Sequence, residues 1–313
     1  MAERIPFIFN PKSRGGLSNR VKNSIMDAAT NLTVLGTNSV KESNTIIDQY
    51  LQEQVKSIVV AGGDGTLNSV LPKFLGSSTN LGVFPSGTMN VFARELGIST
   101  TDPDHAIEVV LKNHIIETDV FLINGAPFVQ MAGIGYDAHF IEETSEESKR
   151  KLGPLAYVQS IAKVFGNKPP QIQVTTADGA QESGVCVLLG NGSFYAGHFP
   201  LFKNARNDDG LIDALLIKSS GYQAILDIAL NFLNKDLYSL LQNTDSVTFL
   251  QSKSLQIRSE EELPYELDGE YYGRDKEFTI EKSPHKLKVH APAEKPKNDF
   301  NERLSALWSL TGN

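Results

Sequence analysis

The stretch Ser57-Ile58-Val59-Val60-Ala61-Gly62-Gly63-Asp64-Gly65-Thr66 decides the fold of this chain. Its β-branched residues predict a short buried strand, and the residues from Thr66 to Leu75 have the apolar spacing of a helix. Glycines at such a junction let the backbone approach an anion closely, and the start of the helix offers free N–H groups to a phosphate. The stretch therefore predicts a phosphate site between a strand and a helix.

The glycine-rich turn also has a plainer interpretation. A Gly-Asp-Gly sequence suits any tight turn between a strand and a helix. The stretch matches neither Gly-x-Gly-x-x-Gly nor Gly-x-x-x-x-Gly-Lys-Ser/Thr, so a dinucleotide fold and a P-loop are both unsupported. Beside a phosphate, Asp64 is expected to engage a metal ion, a water or an acceptor hydroxyl.

Three further strands are predicted in the same half of the chain, and each is followed by a small polar loop. The strands are Ile5–Asn10, Leu32–Leu35 and Leu81–Phe84, and the loops are Asn10 to Gly16, Gly36-Thr37 and Pro85 to Asn90. In a parallel sheet all these loops emerge at the carboxyl edge, where open α/β folds bind ligands. Each loop alone could be a helix cap, with Ser13, Thr37, Ser86 or Thr88 as the capping residue.

The order of the predicted helices and strands indicates two domains. Residues 1–120 alternate β-rich and amphipathic segments, which is typical of a three-layer α/β domain. Its predicted helices are Ser18–Thr30, Ser43–Glu53, Thr66–Leu75 and Val91–Leu96. Residues 121–290 predict an antiparallel, β-rich, sandwich-like domain with one helix at about Gly221–Leu241, and aromatic residues such as Tyr195 are interpreted as its core. Residues 291–313 are expected to form a tail that packs back on the first domain.

Composition excludes several classes of protein. The net charge of −8 over 313 residues argues against a nucleic-acid-binding protein, which needs a basic surface. The single cysteine, Cys186, lies in an apolar run and is expected to be buried and inert. The sequence shows no signal region and no run of about 18 apolar residues, so we expect a cytoplasmic protein. A lipid substrate would require transient contact with a membrane surface.

Taken together, the motifs resemble those of the diacylglycerol kinase catalytic domain family, which includes bacterial diacylglycerol kinases, YegS-like lipid kinases, and sphingosine and ceramide kinases. The matching segments are Asn10-Pro11-x-Ser13, Gly62-Gly63-Asp64-Gly65-Thr66, Pro85-x-Gly87-Thr88-x-Asn90-x-Phe92-Ala93-Arg94, Gly133-Ile134-Gly135-Tyr136-Asp137, Ala205 to Leu211 and Asp268-Gly269-Glu270. The resemblance covers the chain to about residue 290. It implies an ATP-dependent lipid kinase whose first domain binds the nucleotide.

The resemblance also implies a site, carried over position by position. Nucleotide contacts are implied for Asn10, Ser13, Thr37, Gly62, Gly63, Asp64, Gly65, Thr66, Leu67, Asn68, Ser69, Gly87, Thr88 and Asn90. Glu270 matches the proton acceptor of the bacterial members, and Asp64 matches the aspartate expected to activate the hydroxyl in the sphingosine kinase branch. Either carboxylate could accept the proton of an alcohol, so the choice stays open here. A magnesium ion is implied at Asp209, with main-chain oxygens of Arg206 and Leu211.

One departure concerns the substrate. Many diacylglycerol kinases of the family have aspartate after the residue that matches Asn90, whereas this chain has Val91. The sequence therefore predicts phosphorylation of a lipid hydroxyl of diacylglycerol, phosphatidylglycerol or sphingoid type without choosing among them. An NAD kinase-like enzyme and a catalytically silent lipid- or nucleotide-binding regulator are the alternatives. The strand edges of the second domain offer a surface for pairing two copies, so a homodimer is left open.

Overall fold

The computed structural model describes residues 4–10, 24–28, 30–135, 170–195, 197, 200–218, 241 and 245–294. The chain divides into two compact units. One contains the residues up to Val120 and the segment that begins at Ser283, and the other runs from Phe121 to Lys282. The predicted tail lies outside the described residues beyond residue 294, as does nearly all of the helix predicted at Gly221–Leu241.

The first unit is built around a six-stranded sheet. Its elements are β1 (Ile5–Phe9), β2 (Leu32–Gly36), α1 (Val40–Gln52), β3 (Ser57–Gly62), α2 (Asp64–Phe74), β4 (Asn80–Pro85), α3 (Val91–Glu95), α4 (Pro103–Lys112), β5 (Ile115–Thr118) and β16 (Leu287–His290). The strand order is β2-β1-β3-β4-β16-β5, and every pairing is parallel except that of β16 with β5. The four strands predicted from sequence are present, parallel and within one residue of their predicted ends.

The helices of the first unit show where sequence patterns mislead. Helix α1 begins at Val40, three residues before the predicted start, because the Ser39 side chain accepts a hydrogen bond from the Glu42 N–H and caps the helix. Of the helix predicted at Ser18–Thr30, only residues 24–28 and 30 are described, and residues 24–27 are helical. Helix α4 was not predicted, although Asp102 caps it and Pro103 begins it.

The last strand, β16, returns the chain to the first sheet. It pairs with β4 through Val289 and Leu81 and with all of β5. Residues 283–290 therefore belong to the first unit, which differs from the predicted extent of the second domain, 121–290. The four residues of β16 are apolar at alternate positions, and such a short pattern carries no information about which sheet it joins.

His290, at the end of β16, is a fully buried titratable group. Its exposed fraction is 0%, and its Nε2 lies 2.9 Å from the Ser57 hydroxyl. Its Nδ1 has no hydrogen-bond partner among the described residues. Burial lowers the pKa of His290 from 6.5 to about 4, because the charged imidazolium loses its hydration. The imidazole is therefore neutral in the folded protein at neutral pH.

We expect the free energy of unfolding to fall as the pH decreases from about 6.5 to about 4. Between these pH values His290 is protonated in the unfolded chain but stays neutral in the folded chain. The free energy of unfolding therefore decreases by up to about 1.4 kcal/mol for each pH unit. Urea unfolding followed by circular dichroism at several pH values measures this slope. His290→Gln should flatten it, and His285→Gln, at an exposed site, should not. Equal slopes for the wild type and His290→Gln would contradict the assignment.

The second unit is an antiparallel β structure. Its strands are β6 (Phe121–Ile123), β7 (Ala126–Phe128), β8 (Met131–Ile134), β9 (Ile172–Thr176), β10 (Gln181–Gly184), β11 (Cys186–Gly190), β12 (Ile212–Ile217), β13 (Val247–Ser252), β14 (Ser254–Leu267) and β15 (Glu270–Lys282). The strand order is β13-β12-β11-β8-β14-β15-β6-β7, with β9 pairing to β14 and β10. A cluster of buried apolar residues that includes Phe121, Leu267 and Phe278 forms the core. The predicted fold class, α/β followed by antiparallel β, is confirmed.

Candidate functional site

The carboxyl edge of the first sheet collects the loops that the sequence predicted would meet. Phe9 is in register with Gly36 and with Ala61, and Gly62 is in register with Pro85. The four strands are parallel, so the residues that follow them emerge in one row. This row consists of Asn10, Thr37, Gly63 and Ser86.

Two of these loops are in direct backbone contact. A Cβ atom added at Gly63 would lie 3.0 Å from the Gly87 Cα, and one added at Gly87 would lie 2.5 Å from the Gly63 Cα. The Ser86 N–H also donates to the Gly62 carbonyl at 3.0 Å. Only glycine at both positions permits this close approach of the two backbones. We call Gly62–Thr66 and Pro85–Asn90 the paired glycine loops.

Helix α2 begins directly at the first of the paired glycine loops. Gly63 is its N-cap residue and has no side chain with which to cap it. The first N–H groups of an α-helix have no partner within the helix, and the helix dipole is positive at this end. An uncapped start of an 11-residue helix, next to two glycine backbones, has the chemistry that binds a phosphate.

Asn90 closes the second of the paired glycine loops. Its side chain is 4% exposed and makes two hydrogen bonds to one residue. The Gly87 N–H donates to the Asn90 Oδ1 at 2.9 Å, and the Asn90 Nδ2 donates to the Gly87 carbonyl at 2.7 Å. Asn90 also has a φ of 50°, a left-handed conformation that asparagine tolerates well. Asn90 therefore fixes the shape of its loop.

Asp64 joins the two loops through a helix start. Its Oδ1 accepts a hydrogen bond from the backbone N–H of Phe92, in the first turn of α3, at 3.3 Å. The side chain is half-buried and belongs to the first turn of α2. Val91, which precedes Phe92, is only 1% exposed. Asp64 thus holds the second loop at a fixed place relative to the first.

The structure places the other predicted nucleotide residues around this edge, with varied exposure. Thr37 is fully buried, and its hydroxyl lies 3.1 Å from the Phe9 carbonyl and 2.7 Å from the Ser43 hydroxyl. Thr88 is exposed, whereas Ser69 donates to the Thr66 carbonyl at 2.7 Å. The remaining ones are Asn10, Gly65 and Asn68, which are half-buried, and Leu67, which is buried. Ser13 lies outside the described residues.

In the second unit, the predicted Asp268-Gly269-Glu270 segment forms the tight turn between β14 and β15. Asp268 and Gly269 have φ values of 50° and 87°, as a two-residue hairpin turn requires. Glu270 is exposed at the first position of β15. Asp268 is 4% exposed and accepts hydrogen bonds from the N–H groups of Val129, Gln130 and Met131 at 2.9–3.1 Å. The turn that presents Glu270 is therefore anchored to the segment between β7 and β8.

Sequence reasoning missed Glu266, four residues before Glu270. The nearby acids Glu260, Glu261 and Glu262 are exposed, but the exposed fraction of Glu266 is 0%. Its Oε2 accepts a hydrogen bond from the Gly269 N–H at 2.6 Å. The strand alternation Pro264, Glu266, Asp268 could have indicated a shared face, but the sequence alone gives no sign that this face is covered.

The predicted magnesium site lies on an exposed turn of the second unit. The Leu211 N–H donates to the Asp209 Oδ1 at 2.9 Å, and Gly210 has a φ of 74°. The Arg206 side chain is itself a cation and pairs with Asp208 at 3.0 Å, so only the main-chain oxygen of Arg206 could bind a metal ion. Burial, followed by the nearby Asp209 charge, raises the pKa of Asp213 to about 6, against the effect of a hydrogen bond from Gln251. The described residues contain no cluster of three His, Cys, Asp or Glu side chains, so a cation here would need main-chain oxygens.

Comparisons with known proteins agree with this geometry. Residues 4–123 match the diacylglycerol kinase catalytic domain, and residues 130–291 match the YegS C-terminal NAD kinase beta sandwich-like domain. A diacylglycerol kinase of Staphylococcus carnosus is 28% identical over 97% of this chain and 99% of its own length. A probable lipid kinase YegS-like protein of Chromohalobacter salexigens is 31% identical over 69% of this chain and 70% of its own length.

Solved structures show the same architecture. A diacylglycerol kinase from Bacillus anthracis str. Sterne superposes with a TM-score of 0.74 at 27% identity, covering 93% of this chain and 97% of that one. An NAD kinase from Archaeoglobus fulgidus, solved in complex with ATP, superposes with a TM-score of 0.51 over 96% of this chain and 98% of that chain. At 12% identity, this similarity shows a shared fold only.

These family matches and relatives identify the chain as an ATP-dependent lipid kinase. The chain belongs to the diacylglycerol kinase catalytic domain family, in the group that carries the YegS C-terminal domain. The predicted family, its kinase activity and its use of ATP are confirmed at this level.

Proposed function

We propose that this protein transfers the γ-phosphoryl group of ATP to the hydroxyl of a membrane lipid of diacylglycerol, phosphatidylglycerol or sphingoid type. The observation that carries the proposal is the contact between Gly63 and Gly87 at the uncapped start of α2. Backbone N–H groups and a helix dipole at one point suit the β- and γ-phosphates of a nucleotide. The names of the relatives from Staphylococcus and Chromohalobacter support a lipid as the acceptor.

We assign the proton acceptor to Glu270. Its carboxylate is exposed, and a turn with three buried hydrogen bonds to Asp268 holds the strand end that carries it. Asp64 is the rival, but its carboxylate already accepts a hydrogen bond from the Phe92 N–H. A group that holds the second glycine loop in place is better suited to ordering the phosphate site. Asp64 is therefore proposed to position the loops and Glu270 to accept the proton.

Magnesium is proposed at two places with different roles. Bound with ATP, the ion would neutralise charge on the transferring phosphoryl group. A second ion would be held by Asp209 with main-chain oxygens of Arg206 and Leu211. The donor set fits a hard cation, because it combines one carboxylate with carbonyl groups on a tight turn and a second acid, Asp213, lies close by. Such an ion would stabilise the turn.

The remaining proposals concern location and assembly. Within the described part of the chain, the model contains no helix that is long and apolar enough to cross a bilayer. We propose that the protein acts in the cytoplasm and contacts the membrane surface transiently to reach its lipid. A homodimer stays a prediction, to be measured by light scattering.

One assay tests the function. The protein is incubated with γ-labelled ATP and Mg²⁺ together with extracted membrane lipids, with NAD, or with neither. We expect label in a chloroform-soluble product only in the lipid reaction, and loss of that product when EDTA is added, because the phosphates then lack their cation. Separate vesicles containing diacylglycerol, phosphatidylglycerol or a sphingoid base identify the acceptor. Labelled NADP would favour the NAD kinase alternative, and no labelled product in any reaction would favour the silent regulator.

A further inference from the structure

Glu266 is a carboxylate buried inside the second unit, close in sequence to the proposed base. It lies on β14, which runs between β8 and β15, and its neighbours in register are Gly133 and Tyr271. Its side chain is 0% exposed. Removing a carboxylate from water costs free energy unless hydrogen bonds replace the lost hydration. The hydrogen bonds that compensate for the burial of Glu266 therefore indicate what this side chain holds in place.

Both oxygens of Glu266 have a donor nearby. Oε2 accepts from the N–H of Gly269, the central glycine of the turn that leads to Glu270, at 2.6 Å. Oε1 lies 3.4 Å from the hydroxyl of Tyr195, which is itself 5% exposed. The short hydrogen bond ties the turn to the side chain, and the longer one ties the side chain to the segment that follows β11.

The segment that carries Tyr195 is anchored to the sheet by further contacts. The Gln130 Nε2 donates to the Phe194 carbonyl at 2.9 Å. The Tyr195 and Phe202 rings lie 6.3 Å apart, and Phe202 packs over Gly190 so closely that a Cβ atom there would clash with the ring. Tyr195 is therefore held against the face of the sheet from which Glu266 projects.

A second anchor acts on the same turn. Gln130 takes part in both anchors, because its side chain donates to the Phe194 carbonyl and its backbone N–H donates to Asp268. The Asn191 Nδ2 also donates to the Val129 carbonyl at 2.7 Å. Asp268 and Glu266 thus both fix the turn through hydrogen bonds, and both belong to one connected set of buried polar groups. The set fixes both the backbone conformation of Gly269 and the direction in which β15 starts.

We propose that Glu266 is a positioning residue of the kinase, which fixes Glu270 through the Gly269 N–H and is itself oriented by Tyr195. The inference rests on the proposed role of Glu270 as proton acceptor. Proton transfer depends steeply on geometry, because a base must lie within hydrogen-bond reach of the attacking hydroxyl. Removing the Glu266 carboxylate leaves the turn free to shift, and Glu270 shifts with it.

The test is a double-mutant cycle on turnover. Glu266→Met keeps the length of the side chain and removes both acceptors, and we expect kcat to fall by about 10- to 100-fold with the KM for ATP unchanged. Its melting temperature should fall, because the Gly269 N–H and the Tyr195 hydroxyl lose their acceptor, so turnover is compared at a temperature where circular dichroism shows that both proteins are folded. Glu266→Gln, which can still accept from Gly269, should restore most of the turnover. Glu262→Met, at an exposed site on the same strand, is the matched control and should behave as the wild type.

The cycle is completed in the Glu270→Gln background. There, Glu266→Met should cause no further loss, because its effect passes through Glu270. Wild-type turnover for Glu266→Met, or an equal loss in both backgrounds, would overturn the positioning role and leave the proposed function intact. Near-normal turnover for Glu270→Gln alone would overturn the assignment of Glu270 as proton acceptor, and the positioning role with it, whereas the lipid kinase activity itself is tested by the labelled product. If Glu266→Met does not fold, Tyr195→Phe takes its place in the same cycle, with an expected loss of about 3- to 10-fold.

Discussion

Replacing Glu270 with glutamine is expected to lower kcat by about 10²- to 10⁴-fold, the range that a positioned general base contributes. Glutamine has the same size but cannot take the proton of the lipid hydroxyl. The fold should be unaffected, because Glu270 is exposed and the hydrogen bonds of its turn are made by Asp268 and Glu266. The KM for ATP should change little. Initial rates with labelled ATP, together with circular dichroism, measure both effects.

The matched control is Glu281→Gln, which changes an exposed glutamate on the same strand. It should retain wild-type turnover. A second variant, Asp64→Asn, separates the two candidate bases. We expect it to change mainly the KM for ATP, because Asp64 holds the second glycine loop through the N–H of Phe92. If Asp64→Asn loses turnover by orders of magnitude while Glu270→Gln does not, the proton acceptor is Asp64.

Gly87→Ala is expected to abolish detectable phosphorylation of the lipid. The added methyl group would lie 2.5 Å from the Gly63 Cα and 2.9 Å from the Asn90 Oδ1, so the paired glycine loops must move apart. Real Cβ contacts are longer, and the nearest atom belongs to the backbone of a helix cap, which cannot rotate away. The displaced loops would no longer present their N–H groups to one phosphate. Titration with a fluorescent ATP analogue should show a loss of affinity of at least about 100-fold, that is, about 2.7 kcal/mol.

Gly36→Ala is the matched control, because Gly36 ends another parallel strand, β2, at the same edge of the sheet. A Cβ atom there would meet the Phe9 ring at 3.4 Å, close to an ordinary contact. This variant should bind the analogue as the wild type does. Tight binding by Gly87→Ala would show that the phosphates are held elsewhere.

Sequence patterns were sufficient for the first four strands and for their common edge. Buried runs such as Ile58 to Ala61 are apolar on both faces, which only a covered parallel strand tolerates, and glycine or a polar residue ends each of them. Strand β16 could not be placed in the same way. Its position between β4 and β5 depends on contacts between residues about 200 positions apart, such as Leu81 and Val289, and no local propensity records such a pairing.

In the candidate site, too, some residues have a local sequence signal and others depend on contacts with distant parts of the chain. Gly63, Gly87 and Asp268 could be found because glycine and turn sequences carry a local conformational requirement. Glu266 could not, since its sequence neighbours Glu260, Glu261 and Glu262 are exposed acids of identical chemistry. What separates Glu266 from them is its burial and its contact with Tyr195, which is 71 residues away in the chain. Burial of a polar side chain by a distant segment is a tertiary property.

The return of β16 to the first sheet has a consequence for how the protein is made. Residues 1–120 emerge first from the ribosome, yet β4 and β5 have a gap between them that only Leu287–His290 fills. All described residues of the second unit lie between Phe121 and Lys282 and are translated before that strand appears. The unit translated first is therefore finished last, and until then its sheet exposes an open edge of the kind that chaperones protect.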